Sequence, residues 1–161
     1  LGGIFGSIIM VYFSMIFDFS ISLPLILSFI PLLMGLGGNI GNQSATIVVR
    51  AIATDTNFMH EKSKVLIKEI LLGLIIGSLI GVIISIYIYI TTNDILLAFC
   101  IGFTVLVTMA AAAFLGAVLP IALKILKIDP AVASAPFIST ALDIITQIIY
   151  FVIIMVMFTL F

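Results

Sequence analysis

Asp143 is the residue of this sequence whose position most needs a chemical explanation. It lies about ten residues into the last apolar stretch, roughly 15 Å along a helix at 1.5 Å per residue, which is near the midplane of a bilayer. A carboxylate at that depth costs about 2.5–3.5 kcal/mol even on a lenient insertion scale, so it needs a compensating contact. No cation in the same stretch can supply one. At helical spacing stand Ser139, Thr140, Thr146 and Gln147, with Tyr150 a turn further, forming a polar stripe on an otherwise apolar helix. Intramembrane acids of this kind mark ion or proton paths. The competing reading is a protonated Asp143 hydrogen-bonded within a helix bundle.

An earlier apolar stretch carries Pro31 and then Gly35-Leu36-Gly37-Gly38-Asn39-Ile40-Gly41-Asn42-Gln43-Ser44. Glycines and amides make a poor lipid-facing helix. Glycine lets backbones or ligands approach closely, and Asn39, Asn42 and Gln43 supply neutral oxygens, so this segment reads as the wall of a polar cavity. Glycine alone would equally suit a helix contact through Gly37-x-x-x-Gly41; the amides favour the cavity. The spacing is not that of a dinucleotide fingerprint, and no strand precedes it. Asp129, before Pro130 and after Lys127, stands at the inner mouth of such a path or is simply a turn residue. Gly73, Gly77 and Gly81, and residues 110–113 with Gly116 and Ala117, read as packing surfaces. Pro120 reads as a kink or a helix stop, and Cys100 as a small buried hydrophobe.

Membrane-spanning helices must position these residues. Of 161 residues 64% are hydrophobic and 8% charged, with a mean hydropathy of +1.50. Too few polar side chains remain to cover a water-soluble globule, which excludes a soluble enzyme, a disordered segment and a nucleic-acid binder. Five apolar segments, at about 2–17, 22–49, 66–90, 95–123 and 133–161, predict five transmembrane helices. All six cations (Arg50, Lys62, Lys64, Lys68, Lys124, Lys127) fall in or beside the second and fourth connections. The positive-inside rule therefore places those two connections in the cytoplasm and the carboxyl terminus outside. Residues 58–70 read as a helical lead-in lying on the inner membrane surface. Six of the seven acids fall in connections or at segment ends, leaving Asp143 as the intramembrane one. His60-Glu61 does not open a zinc-protease motif, since Lys64 stands where the second His belongs. With no Ser–His pair at compatible depth either, an enzyme is not expected. Starting at Leu1 inside an apolar stretch, the chain reads as a fragment, a single transmembrane domain over 1–161 whose missing amino-terminal part is cytoplasmic.

Pro31 with GLGGNIGNQS and Arg50, followed by DPAVASAPFISTALDIITQIIYF, resembles the transmembrane domain of the MgtE family of magnesium channels and transporters across essentially the whole chain. The resemblance implies an all-α homodimer with one ion path between the subunits, lined by the second and fifth helices. It implies that Asp143 is the metal residue, with the backbone of Ser139 one turn before it, the second-helix glycines Gly35 and Gly38 and the amide of Asn42 beside it, and Asp129 at the cytoplasmic end. Ala135 departs from the glycine or asparagine expected there, and the magnesium-sensing and CBS domains typical of the family lie outside this sequence. The chemistry agrees. Magnesium dehydrates reluctantly and is held through its waters by one or two carboxylates, which two copies of Asp143 on a two-fold axis would provide. The surroundings of Asp143 offer no Cys, Met or His for softer metals. The sequence thus reads as a multi-pass cell-membrane protein passing Mg²⁺ into the cytoplasm, with membrane lipid and a second copy of itself as partners. A proton- or sodium-coupled divalent-cation antiporter, and a membrane anchor for a missing cytoplasmic domain, are the alternatives.

Overall fold

The computed structural model describes residues 8, 11–12, 15, 23–54, 58–129 and 135–160, and every regular element among them is an α-helix. The first apolar segment, 2–17, lies almost wholly outside the described residues. The second is divided: α1 (Leu23–Ser28) and α2 (Ile30–Thr54) meet at a turn at Phe29. Pro31 explains the division, because it has no N–H to offer Leu27 and its ring fits only the first turn of a helix. The junction stays tight, with the Leu33 N–H donating to the Phe29 carbonyl at 3.0 Å.

α3 (Phe58–Thr92), α4 (Ile95–Ile125) and α5 (Ala135–Leu160) cover the remaining three segments. Residues 58–70 are not a separate surface helix. They continue unbroken into the third segment, since they contain neither glycine nor proline to interrupt the ladder. At 35 residues α3 is about 52 Å long, well beyond a hydrocarbon core of about 30 Å, so its charged first turns project from the membrane. Pro120 does not stop α4 either: the helix runs on to Ile125, with only the Gly116 carbonyl deprived of its usual donor.

α3 and α4 form a hairpin through two residues. Asn93 takes the left-handed conformation at φ 55°, which asparagine tolerates, and Asp94 caps α4 by accepting the Leu97 N–H at 2.9 Å. Their packing has a fixed antiparallel register. Gly73 lies on Ala110, Gly77 on Leu106 and Gly81 on Gly102, and Ser85 Oγ donates to the Ala98 carbonyl at 2.9 Å. A Cβ at Gly77 would sit 2.8 Å from the Leu106 oxygen, and one at Gly81 2.6 Å from that of Gly102. Lipid tails are as apolar as leucine, so close backbone packing is what holds such a pair together.

α4 is the central helix, packed against α3, α2 and α5. Its interior surface is apolar (Ile101, Val105, Met109, Ala113), and its buried Thr104 and Thr108 hydroxyls each donate to a carbonyl one turn back at 2.7 Å. The outer face of α3 exposes Ile67, Leu71, Ile75, Leu79, Val82, Ile83, Ile86 and Ile90, a continuous apolar surface suited to lipid and not to water. Among the described residues three helices are long and apolar enough to cross a membrane, within α3, α4 and α5. α2 has the length, but its glycines and amides make it less apolar than those three.

Candidate ion-binding site

α2 and α5 run antiparallel, and their register brings the two polar segments together. Asn42 Nδ2 donates to Ser139 Oγ at 2.5 Å. One turn toward the amino terminus of α2, a Cβ on Gly38 would stand 3.1 Å from Asp143 Oδ1, so this glycine leaves the carboxylate its space. Gly37 faces Thr146, and a Cβ at Gly41 would run into the Leu142 side chain. α4 closes the back of the cluster, where Gly116 meets the Gly41 backbone so tightly that a Cβ would strike the Gly41 carbonyl.

On its other side α2 is open. Gly35, Asn39, Gln43, Thr46 and Arg50 are exposed and recur every three or four residues, so they form one stripe along the outside of the chain. Asn39, Asn42, Gln43, Thr46 and Ile47 line a groove of about 460 Å³ there. Asn42 joins the two regions: it is half-buried, its amide nitrogen is taken by Ser139, and its Oδ1 has no partner among the described residues. Asp143 is likewise half-buried, and the ion pair of Lys64 with Glu61 at 2.8 Å lies far from it, on the charged lead-in of α3. Among the described residues the carboxyl group thus has space beside Gly38 and a neighbouring amide oxygen, but no cation within ion-pair distance.

The residues singled out in the sequence are therefore not all in one place. Gly38, Asn42, Ser139 and Asp143 come together, and Asn39 and Gln43 share the adjacent groove with Asn42. Thr140 is half-buried on α5 beside them. Gly35 lies on the open stripe with nothing within 4 Å of where a Cβ would be. Asp129 lies past the end of α4, lining a separate depression of about 410 Å³ with Lys124, Lys127 and Ile128, so two ammonium groups share its mouth. Among the described residues no group of three or more His, Cys, Asp or Glu side chains comes together to hold a metal ion.

Comparison with known proteins gives this arrangement a family. Residues 30–153 match the family model MgtE, described as a divalent cation transporter. The chain belongs to the MgtE family. It is 34% identical over 122 residues to the magnesium transporter MgtE of Thermus thermophilus, and 34% identical over 127 and 125 residues to the proteins of that name from Enterococcus faecalis and Bacillus subtilis. Each match covers 76% of this chain and 27% of the relative, so the chain corresponds to about a quarter of each relative's length.

The matched stretch of this MgtE-family chain contains the whole α2–α5 cluster, and it also contains two buried polar residues that the segment reading did not anticipate. Glu69, assigned to a segment end, is buried at 5% exposure and accepts a hydrogen bond from Ser44 Oγ at 2.7 Å. It ties α3 to the back of α2, on the face turned away from the groove. A carboxyl beside Lys62, Lys64 and Lys68 in sequence looks like part of a solvated run, and only the approach of α2 buries it. Gln147, noted only as part of the polar stripe, is fully buried with neither end of its amide bonded among the described residues.

Proposed function

We propose that this chain forms the membrane part of a magnesium-transporting pore, in which two copies enclose one ion path and Asp143 of each holds a hydrated Mg²⁺ through its waters. The observation that carries this reading is the exposed polar stripe of α2, Gly35, Asn39, Gln43 and Thr46, running alongside a carboxylate that has no cation partner among the described residues. Polar side chains at membrane depth face a bundle interior or a water-filled cavity, not lipid. A second copy covering the stripe turns the groove into such a cavity and brings a second Asp143 to it. Two carboxylates then match one divalent charge, and the cation removes the repulsion between them. Metal-bound waters are hydrogen-bond donors, which suits Asn42 Oδ1, unpaired among the described residues, and the other amide oxygens of the groove.

The remaining architecture follows the same reading: five spans, the first formed by the segment at 2–17, with the cation-bearing connections in the cytoplasm and Mg²⁺ entering down the membrane potential. The names of the relatives, magnesium transporters, support the choice of ion.

The test compares Asp143→Asn with Asp143→Glu in the full-length protein reconstituted into liposomes. Asn keeps size and hydrogen-bonding capacity but removes both negative charges from the dimer, so Mg²⁺ binding and selectivity over K⁺ should collapse. Glu keeps the charge and should retain part of the uptake. A merely structural, protonated Asp143 gives the reverse order, and that order refutes the assignment. Uptake that follows voltage and ignores imposed H⁺ or Na⁺ gradients distinguishes a channel from an exchanger.

A further inference from the structure

Three buried side-chain atoms lack a hydrogen-bonding partner among the described residues: Asn42 Oδ1, Gln147 Nε2 and Gln147 Oε1. The first adjoins the groove. Gln147 differs, because it is 0% exposed and both ends of its amide are unmet. In a low-dielectric interior an apolar side chain of the same length would stabilise the bundle better than an unsatisfied amide. Stability therefore gives no reason for a glutamine here.

Its polar neighbours on α5 are already engaged. The Thr146 hydroxyl donates to the Leu142 carbonyl at 2.7 Å, and the Tyr150 hydroxyl donates to the Ile26 carbonyl at 3.1 Å. Both hydroxyls have thus committed their one proton, and the charged acceptor on this face is Asp143, four residues earlier and so about 5–6 Å away between Cβ atoms. Side chains on a helix lean toward its amino terminus, so a glutamine at this position reaches back over the turn that carries Asp143.

We propose that Gln147 is a positioning residue for Asp143, its Nε2 donating to the carboxylate after a rotamer change or through one buried water, and so holding the charge toward Gly38 and the ion path. A bridging water needs about two to four polar partners, and the two amide atoms with the carboxylate supply them. The amide stands behind the carboxylate, inside the subunit, and does not itself meet the ion. This rests on the reading of Asp143 as the ion site.

The experiment measures Mg²⁺ binding to the full-length protein at equilibrium, with Asp143→Asn setting the baseline for all other sites, and thermal unfolding without Mg²⁺. Gln147→Met keeps the length and removes both polar atoms. It should bind Mg²⁺ at the Asp143 site about tenfold more weakly, the loss expected for one hydrogen bond to a charged group, while melting at the same or a higher temperature. Gln147→Asn keeps an amide but shortens its reach, so its affinity should fall between those of the wild type and the Met variant. Wild-type affinity in Gln147→Met, or a lowered melting temperature in that variant, overturns the proposal, as does any other order of the three. If Asp143→Asn itself binds like the wild type, the ion-site reading fails instead.

Discussion

Gly38→Ala places one methyl group against the carboxylate and changes nothing else about the charge of the site. The added Cβ would stand 3.1 Å from Asp143 Oδ1. That is a few tenths of an ångström inside ordinary carbon–oxygen contact, and α2 cannot retreat freely because Gly41 is held against α4 and α5. The carboxylate must therefore turn. A rotation of about 30° off its rotamer costs on the order of 0.5–1.5 kcal/mol, and two subunits sharing one ion would double it to about 1–3 kcal/mol. At about 1.4 kcal/mol per tenfold, Mg²⁺ should bind roughly 5- to 150-fold more weakly. Gly35→Ala is the internal control, since its Cβ meets nothing within 4 Å. Both substitutions gain helix propensity, by about 0.8–1.0 kcal/mol, so both proteins should fold at least as well as the wild type. Equilibrium Mg²⁺ titration and liposome uptake on the pair give the answer. Equal affinities for the two variants, whether both normal or both weakened, would refute the reasoning, because contact with the carboxylate is the difference between them.

Two further outcomes follow from the same geometry. Gly77→Ala forces a Cβ to 2.8 Å from the Leu106 carbonyl, so it should destabilise the α3–α4 hairpin by about 1–3 kcal/mol of overpacking, read as a lower melting temperature in detergent; an unchanged value would mean the helices are not in this register. Thr92 and Ser63 are both exposed at opposite ends of α3, and the native Cys100 is 2% exposed, so an impermeant thiol reagent should label Thr92→Cys from outside the cell and Ser63→Cys only from inside, with the reverse pattern inverting the orientation.

The sequence alone was enough to place the chain in a membrane, because hydropathy is a property each residue carries wherever it packs. The same property located the helices that became α3, α4 and α5, and it made Asp143 conspicuous as an acid far from any segment end. The resemblance to the MgtE family rested on the ordered glycines, amides and acid, and the matched stretch of 30–153 bears it out. What the sequence could not set was how the helices rotate and slide against one another. The four glycines of α2 look alike as letters, yet Gly38 fronts the carboxylate, Gly41 is wedged between α4 and α5, and Gly35 faces open space. Those roles depend on a register in which Asn42 meets Ser139, and no one-dimensional pattern specifies it. The burial of Glu69 against Ser44 and the isolation of the Gln147 amide have the same origin. Each is fixed by which face of a neighbouring helix arrives beside it, and that is decided by close packing of backbones at glycine, a contact between elements and not a property of either one.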